Sequence, residues 1–239
     1  MGPSKPLSTV LITGASGFVG RHLVTYLCPT KHVIAFARRT QKAAGIEPHP
    51  NLDWILVDIM DQEQLENAFR KASSEQNIDY VFHLAAYYDF GDQIHSEIYE
   101  KTNVEATRIL LELAAETNIK RFIFTSSVVA SNFPEPGVKV TELSPPYADF
   151  PYAISKREGE RLVKEASKYF PCSIVRLAAV YSDWCEYEPL YNFLKIWLSD
   201  RWDARMIPGH GSMAIPYIHI SCVITLFHYC PVKIKPFEV

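Results

Sequence analysis

Thr9-Val10-Leu11-Ile12-Thr13-Gly14-Ala15-Ser16-Gly17-Phe18-Val19-Gly20 is the stretch whose reading decides the fold. Its first five residues are apolar or β-branched and run into a glycine, as a buried strand does. From Gly17 to Cys28 the apolar side chains recur at helical spacing. Strand, glycine turn and helix in that order suit a pyrophosphate. Gly14 permits the tight turn, Gly17 lets the backbone approach the phosphates, and Gly20 lets the helix lie close on the strand. The helix N-terminus adds free N–H groups and a dipole that favours anions. With Ser16, Phe18 and Val19, these glycines form the expected cradle of a dinucleotide.

Outward from that turn, strands and helices alternate, which predicts α/β architecture with a parallel sheet covered by helices on both faces. Further strands are expected at 33–37, 52–57, 78–84, 121–125 and 172–177. Asp61 is placed to cap a helix through about Lys71. Longer helices are expected from Ser96 to Thr117 and from Tyr152 to Phe170. Prolines 134, 136, 145 and 146 mark an irregular connection between them. Beyond Val180 the pattern loosens into an aromatic-rich stretch, helical in its second half, then a short strand at 215–220. The chain therefore reads as a dinucleotide domain, residues 1–180, and a partial substrate region, residues 181–239.

Composition narrows the function classes. The chain has 239 residues, 48% of them hydrophobic and 21% charged, as an ordinary globular protein does. A formal charge of −3 gives no pull toward nucleic acid or anionic membranes. The five cysteines are odd in number and lack C-x-x-C spacing. That argues against a disulfide framework or zinc site and for a reducing, cytoplasmic location. The eight histidines show no metal-binding pair, so no metal is expected. No apolar run reaches the length of a membrane span, and the first eight residues lack a signal-peptide core.

Tyr152-Ala153-Ile154-Ser155-Lys156 carries the second signal. A tyrosine four residues before a lysine shares its helix face. An ammonium near a phenol favours the phenolate and lowers a pKa that is otherwise about 10. Ser127 lies 25 residues upstream at the end of the fifth expected strand. Strand C-termini face the cofactor crevice in a parallel sheet, so its hydroxyl can meet a substrate carbonyl there. The turn spacing G-x-x-G-x-x-G with this Tyr–Lys–Ser set resembles the extended branch of the short-chain dehydrogenase/reductase family. That branch includes nucleotide-sugar epimerases, dihydroflavonol reductases and 3β-hydroxysteroid dehydrogenases. The resemblance covers about residues 8–222.

The resemblance implies a Rossmann fold, a doubly wound parallel sheet, with a small C-terminal substrate lobe that looks truncated at Val239. It implies Tyr152, Lys156, Ser127 and Asn103 as the catalytic group. It implies that Asp58 and Ile59 bind adenine and that Leu84, Ala85 and Ala86 line the cofactor groove. Asn103, Thr125, Tyr152 and Lys156 would also meet the cofactor, as would Ala179 and Val180 in the segment passing the nicotinamide. Arg38 matches the arginine that NADP-dependent reductases of this branch aim at the 2′-phosphate. Residues 35–39 offer no carboxylate for ribose hydroxyls, so NADP is the expected cofactor, with NAD the alternative.

Val128-Val129 stand where family 4,6-dehydratases carry an Asp-Glu pair, which disfavours that elimination. Ala130-Ser131-Asn132 replaces the epimerases' usual Tyr-Gly. Hydride transfer between NADP(H) and a secondary alcohol or ketone is the reading these residues favour. A nucleotide-sugar epimerase and a non-catalytic dinucleotide sensor are its rivals. Tyr87, Tyr88, Phe90 and Phe133 are placed to wall an apolar pocket, though such residues also pack ordinary cores. Relatives often dimerise through the two long helices, so a homodimer acting on a small molecule is expected.

Overall fold

The computed structural model describes residues 7–89, 96–131, 138–206 and 215–233. Six strands form one sheet: β1 (Thr9–Thr13), β2 (His32–Ala37), β3 (Leu52–Leu56), β4 (Tyr80–His83), β5 (Arg121–Ser127) and β6 (Cys172–Leu177). They lie in the order β3-β2-β1-β4-β5-β6, and every pairing is parallel. This is the doubly wound order of a Rossmann fold. The expected strands are all present.

All five residues of β1 are buried because both faces of the sheet are covered. Val10 and Ile12 point to one face, against Leu23 and Val24 of α1 (Phe18–Leu27) and Val223 and Phe227 of α7 (Ile220–Lys233). Leu11 points to the other, where Leu65 and Phe69 of α2 (Gln62–Glu75) join Leu110 and Leu113 of α4 (Ala106–Ala115). The two-residue period of a strand thus feeds two cores, so β1 reads as an unbroken apolar run. α1 and α4 leave neighbouring strands β1 and β4 toward opposite faces. That divergence opens a crevice at their C-terminal ends, where ligands of such folds bind.

Local boundaries follow the sequence with informative exceptions. Asp61 caps α2 as expected, accepting from Gln64 N at 3.1 Å, but the helix runs on to Glu75. The helix expected over 96–117 is interrupted. A short α3 (Ser96–Tyr99) passes into a π turn (Glu100–Glu105) before α4. Ala106 N donates to Lys101 O, five residues back, and the Thr107 hydroxyl takes the Asn103 carbonyl at 2.8 Å. One extra residue in a turn re-aims the side chains around it. α5 (Pro151–Ala166) starts with proline in its first turn, where the missing N–H costs nothing.

The region expected to be a substrate lobe divides in two. β7 (Ala179–Tyr181) and β8 (Tyr217–His219) form a separate parallel pair, and α6 (Glu188–Trp197) buries none of its residues. α7 instead packs into the main core, with Phe227 edge-on to Phe82 at 5.5 Å. Among the described residues no helix is long and apolar enough to cross a membrane. No cluster of three or more His, Cys, Asp or Glu there could hold a metal.

Candidate active site

The glycine turn is built by close approach. Gly14 has φ +70°, and a Cβ on it would stand 2.7 Å from Ala85 N. A Cβ on Gly20 would stand 2.2 Å from Gly14 O, so α1 can lie on the turn only without a side chain there. Gly17 is the N-cap of α1 and has no capping side chain. Ala15 N donates to Phe36 O and Gly17 N to Gly14 O, fixing the turn against β2.

A cleft of about 480 Å³ opens in front of this turn. Nine residues marked from the sequence line it: Gly14, Ser16, Gly17, Arg38, Asp58, Ile59, Leu84, Ala85 and Ala86. Phe36, Ala37, Arg39, Val57, Met60 and Thr102 line it too and were not singled out beforehand. The ends of β2 and β3 could have signalled the first four. Arg39 donates to Ser16 O across the turn, whereas Arg38 makes no hydrogen bond or ion pair among the described residues. Asp58 accepts from Met60 N at 3.1 Å, a local turn at the cleft wall.

Other marked residues sit outside the lining. Phe18 and Val19 lie in the first turn of α1 with side chains turned partly into the core, and Phe18 packs on His22. Ala179 and Val180 belong to β7, and Val180 also leans on the core. Thr125, Asn103, Tyr152 and Lys156 lie beyond the cleft on β5, the π turn and α5.

There the chain brings Tyr152, Ser127 and Lys156 together. The Ser127 hydroxyl lies close enough to the Tyr152 phenol to favour its ionised form, while its own hydrogen bonds run to Leu177 O at 3.5 Å and from Val129 N at 3.4 Å. Lys156 Nζ sits 5.8 Å from the Tyr152 ring centre and 5.1 Å from that of Phe124, and donates to Thr125 O at 2.9 Å. Tyr88 closes on Tyr152 edge-to-face at 4.5 Å, with Tyr99 behind at 6.3 Å. Burial, helped by Tyr88 and Tyr99 and opposed by the nearby Ser127 hydroxyl, pushes the Tyr152 phenol well above its ordinary range. Burial likewise pulls Lys156 down to about 8, while Glu160 pulls it back up. The expected depression of the phenol by the lysine is therefore not what the protein atoms produce: burial dominates, and the opposing pull comes from Ser127. Of the aromatic residues expected to wall a pocket, Tyr87 packs on Tyr99 and Tyr88 on Tyr152; Phe90 and Phe133 lie outside the described residues.

Asn103 supports this group from behind. Its Oδ1 accepts from Tyr87 N at 2.7 Å, and its Nδ2 donates to Tyr87 O at 3.0 Å and Ser155 Oγ at 2.9 Å. Ser155 Oγ donates to Tyr152 O at 2.8 Å. Asn103 thus spends both N–H groups on positioning rather than on a reacting atom. Beneath it, His83 Nε2 meets Thr107 Oγ1 at 2.9 Å and Nδ1 meets Thr13 Oγ1 at 2.6 Å. Thr107 gives its proton to Asn103 O, so Nε2 carries the hydrogen and the imidazole is neutral. Burial, with Lys156 adding to it, holds His83 at about 3.

One turn past Lys156, Glu160 is 1% exposed and takes a two-pronged bond from Arg176, both contacts 2.7 Å, plus one from Ser126 Oγ. Arg176 also holds Ser144 O at 2.6 Å, tying the β5–α5 connection to β6. Glu160 was missed, although its place four residues after Lys156 was a usable signal.

A doubly wound parallel sheet, a glycine turn at its switch point and a Tyr–Ser–Lys cluster at the adjacent strand end define the extended short-chain dehydrogenase/reductase class. The model of the NAD dependent epimerase/dehydratase family matches residues 10–230, and the chain belongs to that family. It is 27% identical to a dTDP-D-glucose 4,6-dehydratase of Dictyostelium discoideum over 92% of this chain and 55% of that one. It is 32% identical to a 3-beta-hydroxysteroid dehydrogenase of Mycolicibacterium neoaurum over 51% of this chain and 32% of that one. The chain thus spans about half or less of these relatives' lengths. Among solved structures, the Bordetella bronchiseptica enzyme WbmG in complex with NAD superposes with a TM-score of 0.78 at 20% identity, covering 100% of this chain and 73% of that one.

Proposed function

We propose that this chain transfers hydride between a nicotinamide dinucleotide and a secondary alcohol or ketone. One observation carries the reading: the Tyr152 phenol lies beside the Ser127 hydroxyl with the buried Lys156 ammonium 5.8 Å from its ring centre, next to the strand ends that border the glycine cleft. The residues present fit a dinucleotide. A Cβ at Gly14 or Gly20 would strike neighbouring backbone, so the glycines let the turn fold tightly beside the cleft, and Thr102 on the cleft wall has a buried hydroxyl without a partner among the described residues.

The nicotinamide, when bound, supplies or accepts the hydride. Tyr152, held as a neutral acid by burial, gives its proton to the oxygen of a carbonyl being reduced and recovers it in the reverse direction. Ser127 donates a hydrogen bond to that oxygen and keeps it beside the phenol. Lys156, an ammonium at neutral pH, offsets the phenolate left behind. Asn103 and Ser155 hold the start of α5, and so the phenol, in place.

The cofactor we assign is NADP. Arg38 stands at the end of β2 without a partner among the described residues, and a guanidinium meets a phosphate with paired bonds. Purified protein titrated with NADPH and NADH, then offered a panel of ketones, tests the reading. Arg38→Ser is expected to weaken NADPH about 10- to 100-fold, as loss of charge-assisted bonds does, with little effect on NADH. Tighter NADH binding by the unaltered chain would overturn the NADP assignment. Failure to bind either would overturn the function. The epimerase alternative shares this site, and tightly held NAD with no net turnover would decide for it.

The reading further includes a small-molecule substrate, a homodimer formed through α4 and α5 with the π turn, and a reducing compartment such as the cytoplasm. Exposed Ile154 on α5 supports that dimer face, and native mass measurement tests it.

A further inference from the structure

Tyr152, Lys156 and Glu160 stand at every fourth position of α5, so they share one face of that helix. The last three residues of β5 meet them one for one. Lys156 Nζ donates to Thr125 O at 2.9 Å, Ser126 Oγ donates to Glu160 Oε1 at 2.7 Å, and the Ser127 hydroxyl lies beside the Tyr152 phenol. The first two contacts stop α5 from sliding along the strand end, which leaves phenol and serine in a single register.

Glu160 carries a second connection. Arg176 of β6 donates Nε and Nη2 to its two oxygens, each at 2.7 Å. The remaining Nη1 donates to Ser144 O at 2.6 Å and to Ser131 Oγ at 3.2 Å. Arg176 therefore ties two points of the connection from β5 to α5 onto the helix that bears the phenol. Stability alone does not call for such a pair, since a buried ion pair roughly breaks even against apolar residues of like volume. Its charge has a further effect. Glu160 faces three cations: Arg176, Lys164 with Nζ at 3.9 Å, and Lys156 one turn before it, whose charge it favours. An arginine does not shed its proton, so removal of this anion falls on Lys156.

We propose that Glu160, gripped by Arg176, is a positioning residue for the reaction: it holds the Lys156 ammonium and the Tyr152 phenol in register against the end of β5. The inference rests on the hydride-transfer reading above. Glu160 lies two helical turns from Tyr152 and acts through Lys156 and Ser126.

Glu160→Gln keeps the shape and removes the charge, whereas Arg176→Lys keeps the charge and removes the fork. Ketone reduction at saturating dinucleotide is measured for both and for the unaltered chain between about pH 6 and pH 9.5. Of the other titratable groups facing Lys156, the Tyr152 phenol on α5 lies well above this range and His83 of β4 well below it, at about 3, so Lys156, at about 8, is the one that titrates. The kcat of each variant is expected to fall about 10- to 100-fold, as misplacement of reacting groups costs, with dinucleotide Kd within about twofold. The alkaline fall of the rate should move about one pH unit lower in the glutamine variant, because Lys156 has lost its anion, and should stay in place in the lysine variant. A Glu160→Met, Arg176→Met double variant strands neither charge and decides the matter where a single variant fails to fold; it should unfold cooperatively and lose kcat to the same extent. A kcat within about twofold of the unaltered rate in any folded variant overturns the inference. So does a glutamine variant whose alkaline fall stays in place, since a merely structural loss lowers the rate alone. An unaltered chain that reduces no ketone overturns the hydride-transfer reading itself, and this inference with it.

Discussion

Replacing Lys156 with methionine should make the cofactor-free protein more stable while removing its activity. Lys156 is 3% exposed, and burial draws its ammonium from 10.5 to about 8 against a partial opposing pull from Glu160. At 1.36 kcal/mol per unit, that displacement corresponds to about 3 kcal/mol of destabilisation at pH 7. The unfolded chain keeps this proton up to about pH 10.5, and the folded chain releases it near pH 8. Between those values the unfolded state binds more protons, so stability rises with pH, and the penalty is complete only below pH 8. Methionine has a similar reach and no charge. It forfeits the bond to Thr125 O, worth about 1 kcal/mol. The expected net gain at pH 7 is about 1–2 kcal/mol, or roughly 3–6 °C in Tm for a chain of this size. Thermal unfolding of both proteins at pH 7 and pH 9.5 reads it out. The gap should narrow at the higher pH, because only the unaltered chain gains from losing this proton. A methionine variant markedly less stable at pH 7, with a pH response parallel to that of the unaltered chain, would refute the reasoning.

Other outcomes follow from the same geometry. Gly20→Ala drives a Cβ into Gly14 O and Ala15 Cα, backbone atoms that cannot yield locally; an overpacking loss of about 1–3 kcal/mol in urea unfolding is expected, together with weakened dinucleotide binding in titration. Glu160→Ala strips Arg176 of its buried partner and should cost about 3–5 kcal/mol; a loss below about 1 kcal/mol in urea unfolding would show that the pair is effectively solvated.

Most of the fold was written in local pattern. The apolar run at β1, the glycine turn and the recurrence of strands needed no tertiary knowledge, because both faces of the sheet are covered and its central strands β1 and β2 are largely apolar and buried. The meeting of Ser127 with Tyr152 was legible for a related reason: strand ends of a parallel sheet share one edge. The π turn was not legible, since Glu100–Glu105 has unremarkable helical residues and the extra residue is held by hydrogen bonds around Asn103, Thr107 and His83. Thr102 was hidden with it. The direction of the Tyr152 shift was misread because the sequence displays the lysine but not the closure of Tyr88 over the ring. Phe18, Val19, Ala179 and Val180 were marked by their place along the chain, and their side chains lie outside the cleft lining.

Tyr152→Phe tests the central claim most directly, since it removes one oxygen atom and leaves the ring against Tyr88. Dinucleotide affinity and the rate of ketone reduction should be measured on the same preparation. The rate is expected to fall about 10²- to 10⁴-fold, the usual worth of a placed proton donor, with affinity within twofold. A phenylalanine variant that reduces the ketone within tenfold of the unaltered rate would contradict a proton passing through this phenol.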